Sequence, residues 1–380
     1  MATQRRPDLI SVIVATRDGA QRIDACLRAL LTCRVPAGFE REVIVVDDGS
    51  RDDTSARAAR HAGVRVLTRP PEGPSAARNA GILAAGGEAI AFTDDDCEVD
   101  AAWLVELVGT LRATDAAAAG GAQVVPSDDV GLAREIGRFL LAVGFAGGYT
   151  RRGNALRDVD HNPTCCSIYR TSALLAIGGF ARDLWPGEDV ELDRRIAQRG
   201  WRIVYTPRAR VAHHRVGTLR SFARMLYRYG RWSTGYLTRQ LGLFRALCVV
   251  PAATLALGAA WCWAALEAPL AALALVVIAL SLACRTLLRG GLSARDLPLH
   301  LGLAALGGAA WHIGFARGIL TGRPLVPGLA AQPSAVARPQ GLALGVAQGH
   351  TPSVARAHAP VAAVDLRAPI SDNGGQGGNT

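Results

Sequence analysis

The sequence predicts an α/β fold with a mainly parallel sheet, followed by apolar helices, and three observations predict it. Up to about residue 125, apolar runs rich in β-branched residues alternate with helical stretches, the pattern of a parallel sheet with crossover helices. Polar residues gather at the ends of three of those runs, as Thr16-Arg17-Asp18, Asp47-Asp48 and Asp94-Asp95-Asp96. Past Arg245 the chain turns strongly apolar over stretches close to the length of a membrane span, about 20 residues.

Each element follows in order. LISVIVAT (9–16) is a continuous strand, followed by a helix over Arg22 to Leu31. REVIVVDDGS (41–50) repeats the form, with Gly49 and Ser50 making the turn into a helix over Thr54 to His61. VRVLTR (64–69) and EAIAFTD (88–94) add two strands, separated by the helical GPSAARNAGILAAGG. Residues 127–214 read as mixed, with helices over Val130 to Val143 and Glu188 to Arg199, and a strand and helix across Cys165 to Ile177. The stretches 246–266 and 268–284 read as a transmembrane hairpin, while 297–320 is either a third span or an interfacial helix. From about residue 325 the chain is rich in Pro, Ala and Gly without periodicity, the composition of a disordered tail. The expected domains are therefore 1–240 (α/β), 241–324 (membrane region) and 325–380 (tail).

Composition excludes several chemistries. The net charge of +10 comes from arginine alone, because the 42 basic residues include no lysine. That rules out a P-loop lysine, a lysine Schiff base and a lysine general base. The arginines are densest from Arg208 to Arg245, beside apolar sequence, which favours a membrane surface over nucleic acid as partner. None of the eight cysteines forms a CxxC pair, so a zinc knuckle or disulfide framework is not expected. The polar opening MATQRRPDLI does not read as a signal peptide. Arg220, Arg224, Arg228, Arg231 and Arg239 precede the first apolar stretch and Arg285, Arg289 and Arg295 follow the second. By the positive-inside rule, both flanks and the N-terminal domain face the cytoplasm of a multi-pass protein of the inner (cell) membrane.

Carboxylates crowded at a strand end repel one another unless a cation sits among them, and Mg²⁺ or Mn²⁺ prefers oxygen ligands together with substrate phosphates. A second acidic strand end, VIVVDDGSRDDT, suits hydrogen bonds from ring N–H or ribose hydroxyl groups. A base at one strand end and a metal-bound diphosphate at the other describe a nucleotide lying across the sheet. In WPGEDVELDRRI a carboxylate pair opens a helix, where the dipole favours negative charge.

Five motifs in order, SVIVATRDGA, VIVVDDGSRDDT, GPSAARNAG, AFTDDDCEVDAAW and GEDVELDRRIAQRGWRI, make residues 8–235 resemble the family 2 glycosyltransferases. The resemblance implies a GT-A fold, with a Rossmann-like mixed, mainly parallel sheet, and a nucleoside-diphosphate-sugar donor, expected to be a UDP-sugar. It implies donor contacts from Thr16, Asp47 or Asp48, Arg78 and Asp94, with Asp95 at the variable middle position and expected to face solvent. It also implies Mn²⁺ or Mg²⁺ held by Asp96, Asp94 and His213, with Asp189 as catalytic base beside Glu188. Of His213 and His214, adjacent on a strand, at most one can ligate. HNPTCCSIYR lies where such enzymes place acceptor-facing residues, with Cys165 and Cys166 expected to pack. The expected reaction inverts the anomeric centre and delivers the sugar to a lipid-linked or polysaccharide acceptor, nearest in kind to exopolysaccharide-type transferases. No Q-x-x-R-W motif follows Glu188-Asp189, which favours single addition. A sugar-nucleotide pyrophosphorylase would need a Gly-rich opening turn and lysine. An inactive sugar-nucleotide-binding scaffold would not be expected to keep Asp94, Asp96 and Asp189 together.

Overall fold

The computed structural model describes residues 6–145, 155–182, 184–237, 256, 258–259 and 269–321. The strands are β1 (Arg6–Thr16), β2 (Glu40–Asp47), β3 (Val64–Thr68), β4 (Gly87–Asp94), β5 (Cys97–Val99), β6 (Ala118–Val124), β7 (Arg157–Asp158), β8 (Ser167–Arg170) and β9 (Ile203–His213). They form one sheet in the order β3-β2-β1-β4-β8-β6-β9-β5, with β7 also paired to β9. The sheet is mixed, as expected: β3, β2, β1 and β4 pair in parallel, β8 runs antiparallel to both β4 and β6, and β6 and β9 pair in parallel.

Burial on both faces explains the continuous apolar strands, because side chains alternate across a pleated sheet. Ile10, Val12, Val14, Val43 and Val45 face one layer, where α1 (Ile23–Thr32) and α4 (Trp103–Thr114) bring Leu27, Leu30, Trp103 and Leu107. Ile13, Ile44, Val46, Ile90 and Phe92 face the other. That layer is covered by α3 (Pro74–Ala84), α6 (Thr171–Ala176) and α7 (Glu188–Gln198) through Ala77, Ile82, Leu174 and Leu192. A short α2 (Thr54–Ala59) adds Ala58 to the first layer.

A third core joins the sheet domain to the C-terminal helices. Ile136, Phe139 and Leu140 of α5 (Gly131–Ala142) pack with Phe222 and Leu226 of α8 (Leu219–Leu237). The same cluster takes Leu287 from α9 (Pro269–Arg289) and Leu303 from α10 (Leu297–Thr321). A polar clamp fixes the join: Arg138 Nη2 donates to Asp296 Oδ2 at 2.6 Å and Nη1 to Glu135 Oε2 at 2.9 Å. The helix α8 is amphipathic, with Arg220, Arg224 and Arg228 exposed at a spacing of four and Phe222, Leu226 and Gly230 buried. Glycines let α8 and α10 approach closely, since a Cβ on Gly230 or Gly314 would come within 1.9 Å of Trp311 O or 2.1 Å of Tyr227 O.

Among the described residues, one helical stretch, Ala294–Gly318, is long and apolar enough to cross a membrane. The second predicted span is the helix α9, and the third stretch is the helix α10. The first predicted span, apart from Ala256, Gly258 and Ala259, and the predicted tail lie outside the described residues.

The packing of α3 on β1 leaves no space for a methyl group at Gly81, where a Cβ would lie 2.6 Å from Ile13 Cγ2. Overpacking costs about 1–3 kcal/mol, against a helix-propensity gain of about 1 kcal/mol for Gly→Ala. Gly81→Ala is therefore expected to destabilise the domain in a denaturant melt. Ile13→Ala should cost less in that background than in the parent, giving a coupling of about 0.5–3 kcal/mol in a double-mutant cycle.

Candidate active site

The strands β1, β2 and β4 end level with one another, because Thr16 is in register with Asp47 and Ala15 with Asp94. Their terminal polar residues therefore converge, as the sequence requires. Asp47 Oδ1 accepts from the Ser50 N–H at 2.9 Å and its hydroxyl at 2.5 Å, which closes the DDGS turn. Both oxygens of buried Asp48 accept at 2.8 Å from the N–H groups of Glu72 and Gly73, fastening the loop before α3. Asp18 Oδ1 accepts from the Arg51 N–H at 2.7 Å, so the first two loops are latched together.

Asp94, the last residue of β4, meets Arg78 from α3. The guanidinium donates from Nη2 to Asp94 Oδ1 at 2.9 Å and from Nη1 to Glu188 Oε1 at 2.6 Å. Glu188 is the first residue of α7, placed by Gly187 at φ 97°. One buried cation thus ties three separate elements together.

Asp95 is not the solvent-facing carboxylate its position suggests. It is half-buried and accepts a hydrogen bond from the Thr16 hydroxyl, because the chain turns sharply between β4 and β5 and carries it back toward β1. Burial, with Asp96 next to it, pushes Asp95 up to about 7.

His213 and His214 point to opposite sides of their strand. His214 is held between Asp129 Oδ1 and Glu98 Oε1, both at 2.8 Å. His213 Nε2 lies 3.3 Å from Asp96 Oδ1, and its Nδ1 lies 3.1 Å from Gln123 Oε1. An amide oxygen can only accept, so Nδ1 carries a proton and Nε2 is the nitrogen left for a cation. Ligand atoms of Asp94, Asp96, Cys97 and His213 lie within 4.8 Å of one another. Two carboxylates and an imidazole fit a Mn²⁺-class ion. Arg215 Nη1 lies 3.4 Å from His213 Nε2 and its Nη2 donates to Gln123 Oε1, which places a positive charge beside Asp96.

Asp189 follows Glu188 on α7. Its Oδ2 faces the Thr164 N–H at 3.4 Å and His161 Nε2 at 3.8 Å, and His161 Nδ1 bonds Asp193 Oδ2 at 2.9 Å. Asp193 is fully buried and is also held by the Tyr169 hydroxyl and the Asn162 N–H. Arg78, Asp94, Glu188, Asp189 and His213 line one cavity of about 750 Å³. Asp96 borders it through His213, while Thr16, Asp47, Asp48 and Asp95 lie at the neighbouring strand ends.

Comparison with known proteins fits this arrangement. The glycosyl transferase family 2 profile matches residues 11–178. An uncharacterized glycosyltransferase of Mycobacterium tuberculosis is 32% identical over 197 residues, covering 52% of this chain and 83% of that protein. The chain belongs to glycosyltransferase family 2. This family 2 glycosyltransferase, a transferase enzyme, is also 29% identical over 228 residues to the pre-mycofactocin glycosyltransferase of Mycobacterium tuberculosis, covering 58% of this chain. It spans about half the length of that relative, 46%. A mannosyltransferase from Pyrobaculum calidifontis, solved in complex with GDP-Man and Mn²⁺, shares the fold, with a TM-score of 0.59 at 20% identity, covering 84% of this chain and 88% of that one.

The electrostatics of the family 2 site follow from one guanidinium facing several carboxylates. Burial opposes the Arg78 charge, and Asp94, Glu188 and Asp189 more than offset it. The surplus negative charge falls on Glu188, which burial and Asp189 push up to about 7 despite the ion pair. Burial and Arg215 oppose the His213 charge, yet Asp96 carries it up to about 9. Asp96 falls to about 2, because His213 and Arg215 outweigh its burial.

Sequence reasoning missed His161, Thr164 and Asp193 as individuals, although Asp193 stands four residues after Asp189 and so shares its helix face. Cys165 packs in the first core layer as expected and also lines the cavity, and Cys97 and His213 bring its thiol down to about 6 against burial.

Because the folded Glu188 titrates near 7 instead of its ordinary 4.5, its contribution is fully present below pH 4.5 and lost as pH rises through 7. A glutamine does not titrate. The stability of Glu188→Gln relative to the parent is expected to rise with pH across that window, by on the order of 3 kcal/mol. Denaturant melts at several pH values check this, and a pH-independent difference would contradict it.

Proposed function

We propose that this enzyme moves a sugar from a nucleoside-diphosphate-sugar to an acceptor hydroxyl by a single inverting displacement, with Asp189 as general base. One observation carries the reading. Asp189 shares a cavity with Asp94 and His213, and it is the carboxylate lining that cavity which Arg78 does not engage. A poor hydroxyl nucleophile gains most from a positioned base.

In this reading Asp47 or Asp48 contacts the base, from a strand end where Asp47 Oδ1 also closes the DDGS turn and both Asp48 oxygens also hold the loop before α3, and Thr16 and Asp95 shape the wall beside it. Asp94, Asp96 and His213 would hold Mn²⁺ or Mg²⁺, the cation that the fold neighbour in complex with GDP-Man and Mn²⁺ makes the first to test. When bound, the cation neutralises charge developing on the leaving diphosphate. Asp189 Oδ2 takes the acceptor proton as the acceptor oxygen attacks the anomeric carbon from the side opposite the diphosphate. Burial lowers the His161 pKa, but Asp189 and Asp193 more than offset it and raise it, and the hydrogen bond to Asp193 fixes the imidazole behind the base.

The acceptor is proposed to be lipid-linked or a polysaccharide precursor, met at a membrane. Leu270, Leu273, Val277, Ile278 and Leu282 of α9 are exposed apolar side chains, which suits lipid and not water. Arg285, Arg289 and Arg295 are exposed at the end of that helix and just after it, and the exposed arginine stripe of α8 precedes the apolar region in the chain. This supports a cytoplasmic catalytic domain attached to the cell membrane.

Asp189→Asn is expected to keep donor affinity and lose transfer by about 10²–10⁴-fold, the usual contribution of a general base. Asp96→Asn should instead lose Mn²⁺-dependent donor binding. Nucleoside diphosphate release from UDP- and GDP-sugars, with and without Mn²⁺, measures both, and transfer by Asp189→Asn at the parent rate would sink the assignment.

A further inference from the structure

The cavity that begins at Asp189 does not end at the polar residues. It continues between α5, α8 and α10, where Phe139, Leu140, Leu226, Trp232 and Trp311 line it. We propose that this apolar arm seats the hydrocarbon chain of the acceptor, so that the acceptor is a membrane lipid whose hydroxyl-bearing head lies at Asp189. The inference rests on the proposed transferase reading and narrows its acceptor to the lipid class.

Three observations support it. First, the wall selects by solvation. A glycan in the arm would bury hydroxyl groups beside phenyl, indole and aliphatic carbon, at a cost of about 1–3 kcal/mol for each one left unpaired. A hydrocarbon chain there gains about 25 cal/mol for each Å² removed from water.

Second, the polar end holds a hydroxyl without a partner. Thr164 Oγ1 is buried with no hydrogen-bond partner among the described residues, in a residue 3% exposed, and Thr164 lines the cavity with its N–H toward Asp189. An acceptor head hydroxyl placed at Asp189 would meet it. Along the α8–α10 side the polar residues that line the cavity are Tyr229, Ser233 and His312; Ser233 Oγ donates to Tyr229 O at 2.9 Å and His312 Nδ1 bonds Gly308 O at 2.7 Å, while His312 Nε2 is buried with no hydrogen-bond partner among the described residues.

Third, the wall of the arm is the helix suited to lipid. The stretch Ala294–Gly318 that is apolar and long enough to cross a membrane contains both Gly308 and Trp311. Its neighbouring glycines differ in a telling way. A Cβ on Gly307 would strike Leu226 Cδ1 at 2.4 Å, whereas a Cβ on Gly308 would meet nothing within 4 Å. The space at Gly308 belongs to the cavity, and a larger side chain there would fill the arm without first displacing the packed helix α8.

The test uses the full chain in phosphatidylcholine nanodiscs and a photoreactive C15 isoprenoid alcohol. Labelling is expected on α8 and α10 at Leu226, Trp232 or Trp311, competed by farnesol and not by maltoheptaose. Across Gly308→Ala, Gly308→Leu and Gly308→Phe it should fall with side-chain size, by at least tenfold for Phe, while Mn²⁺-dependent donor binding stays at the parent level. That retained binding shows each variant is folded. Labelling indifferent to residue 308, or competed by the soluble glycan and not by farnesol, would overturn the proposal. Failure of the transferase reading is distinguishable, because it would appear as absent donor turnover in the parent with the labelling pattern intact.

Discussion

The site depends on the burial of Arg78 between Asp94 and Glu188. The sheet delivers Asp94 at the end of β4, and α7 delivers Glu188 and Asp189 at its N-terminus, so three carboxylates approach one another in a region of low dielectric. Left unbalanced, that charge would separate the elements. Arg78 comes from α3, whose opposite face is fixed on β1 and β2, so the compensating charge has a position set by the core and not by a flexible surface chain. Removing the cation of a buried arrangement of this kind costs about 3–5 kcal/mol, because its carboxylates are left without a counter-charge.

The balance is deliberately incomplete in its geometry. Arg78 engages Asp94 and Glu188, and Asp189 is met by His161 and the Thr164 N–H. The His161 ring is in turn fixed by Asp193, which two further groups hold in the core. Two carboxylates therefore hold the cleft together, and the third is oriented within it by neighbours that leave it in contact with the cavity. A group that must take a proton from a substrate needs that combination of fixed direction and access.

Much of this was legible in the sequence. Apolar runs of strand length, punctuated by Gly, Asp and Ser, located β1 to β4 and their helices closely, because a strand buried on both faces has no polar alternation to obscure it. The acidic strand ends and the Glu188-Asp189 pair were visible for the same reason, since charge at the end of an apolar run stands out. The posture of Asp95 was not legible, because it depends on the tight turn into β5, a strand only three residues long. His161 and Thr164 were hidden because they sit in a segment whose position is set by β8 inserting between β4 and β6, a pairing of residues far apart in the chain. The close approach of α8 and α10 was equally opaque, since nothing in the local sequence links Gly230 to Gly307 and Gly314 until the helices are placed side by side.

The lack of lysine gains physical meaning at this centre. Arg78 serves two carboxylates on different elements at once, from Nη1 at 2.6 Å and Nη2 at 2.9 Å. A guanidinium presents those donors in a fixed plane, so fixing one contact largely fixes the other. It also tolerates burial, because its charge is delocalised and more weakly hydrated than that of an ammonium. A lysine ammonium would concentrate its charge at one point on a flexible stem and would lose its proton more readily when desolvated. The cleft would then lose its counter-charge as the cavity became drier. With arginine the charge persists, so the same dry surroundings that strengthen Arg78's hold on Asp94 and Glu188 can also surround the reacting groups without dismantling the site.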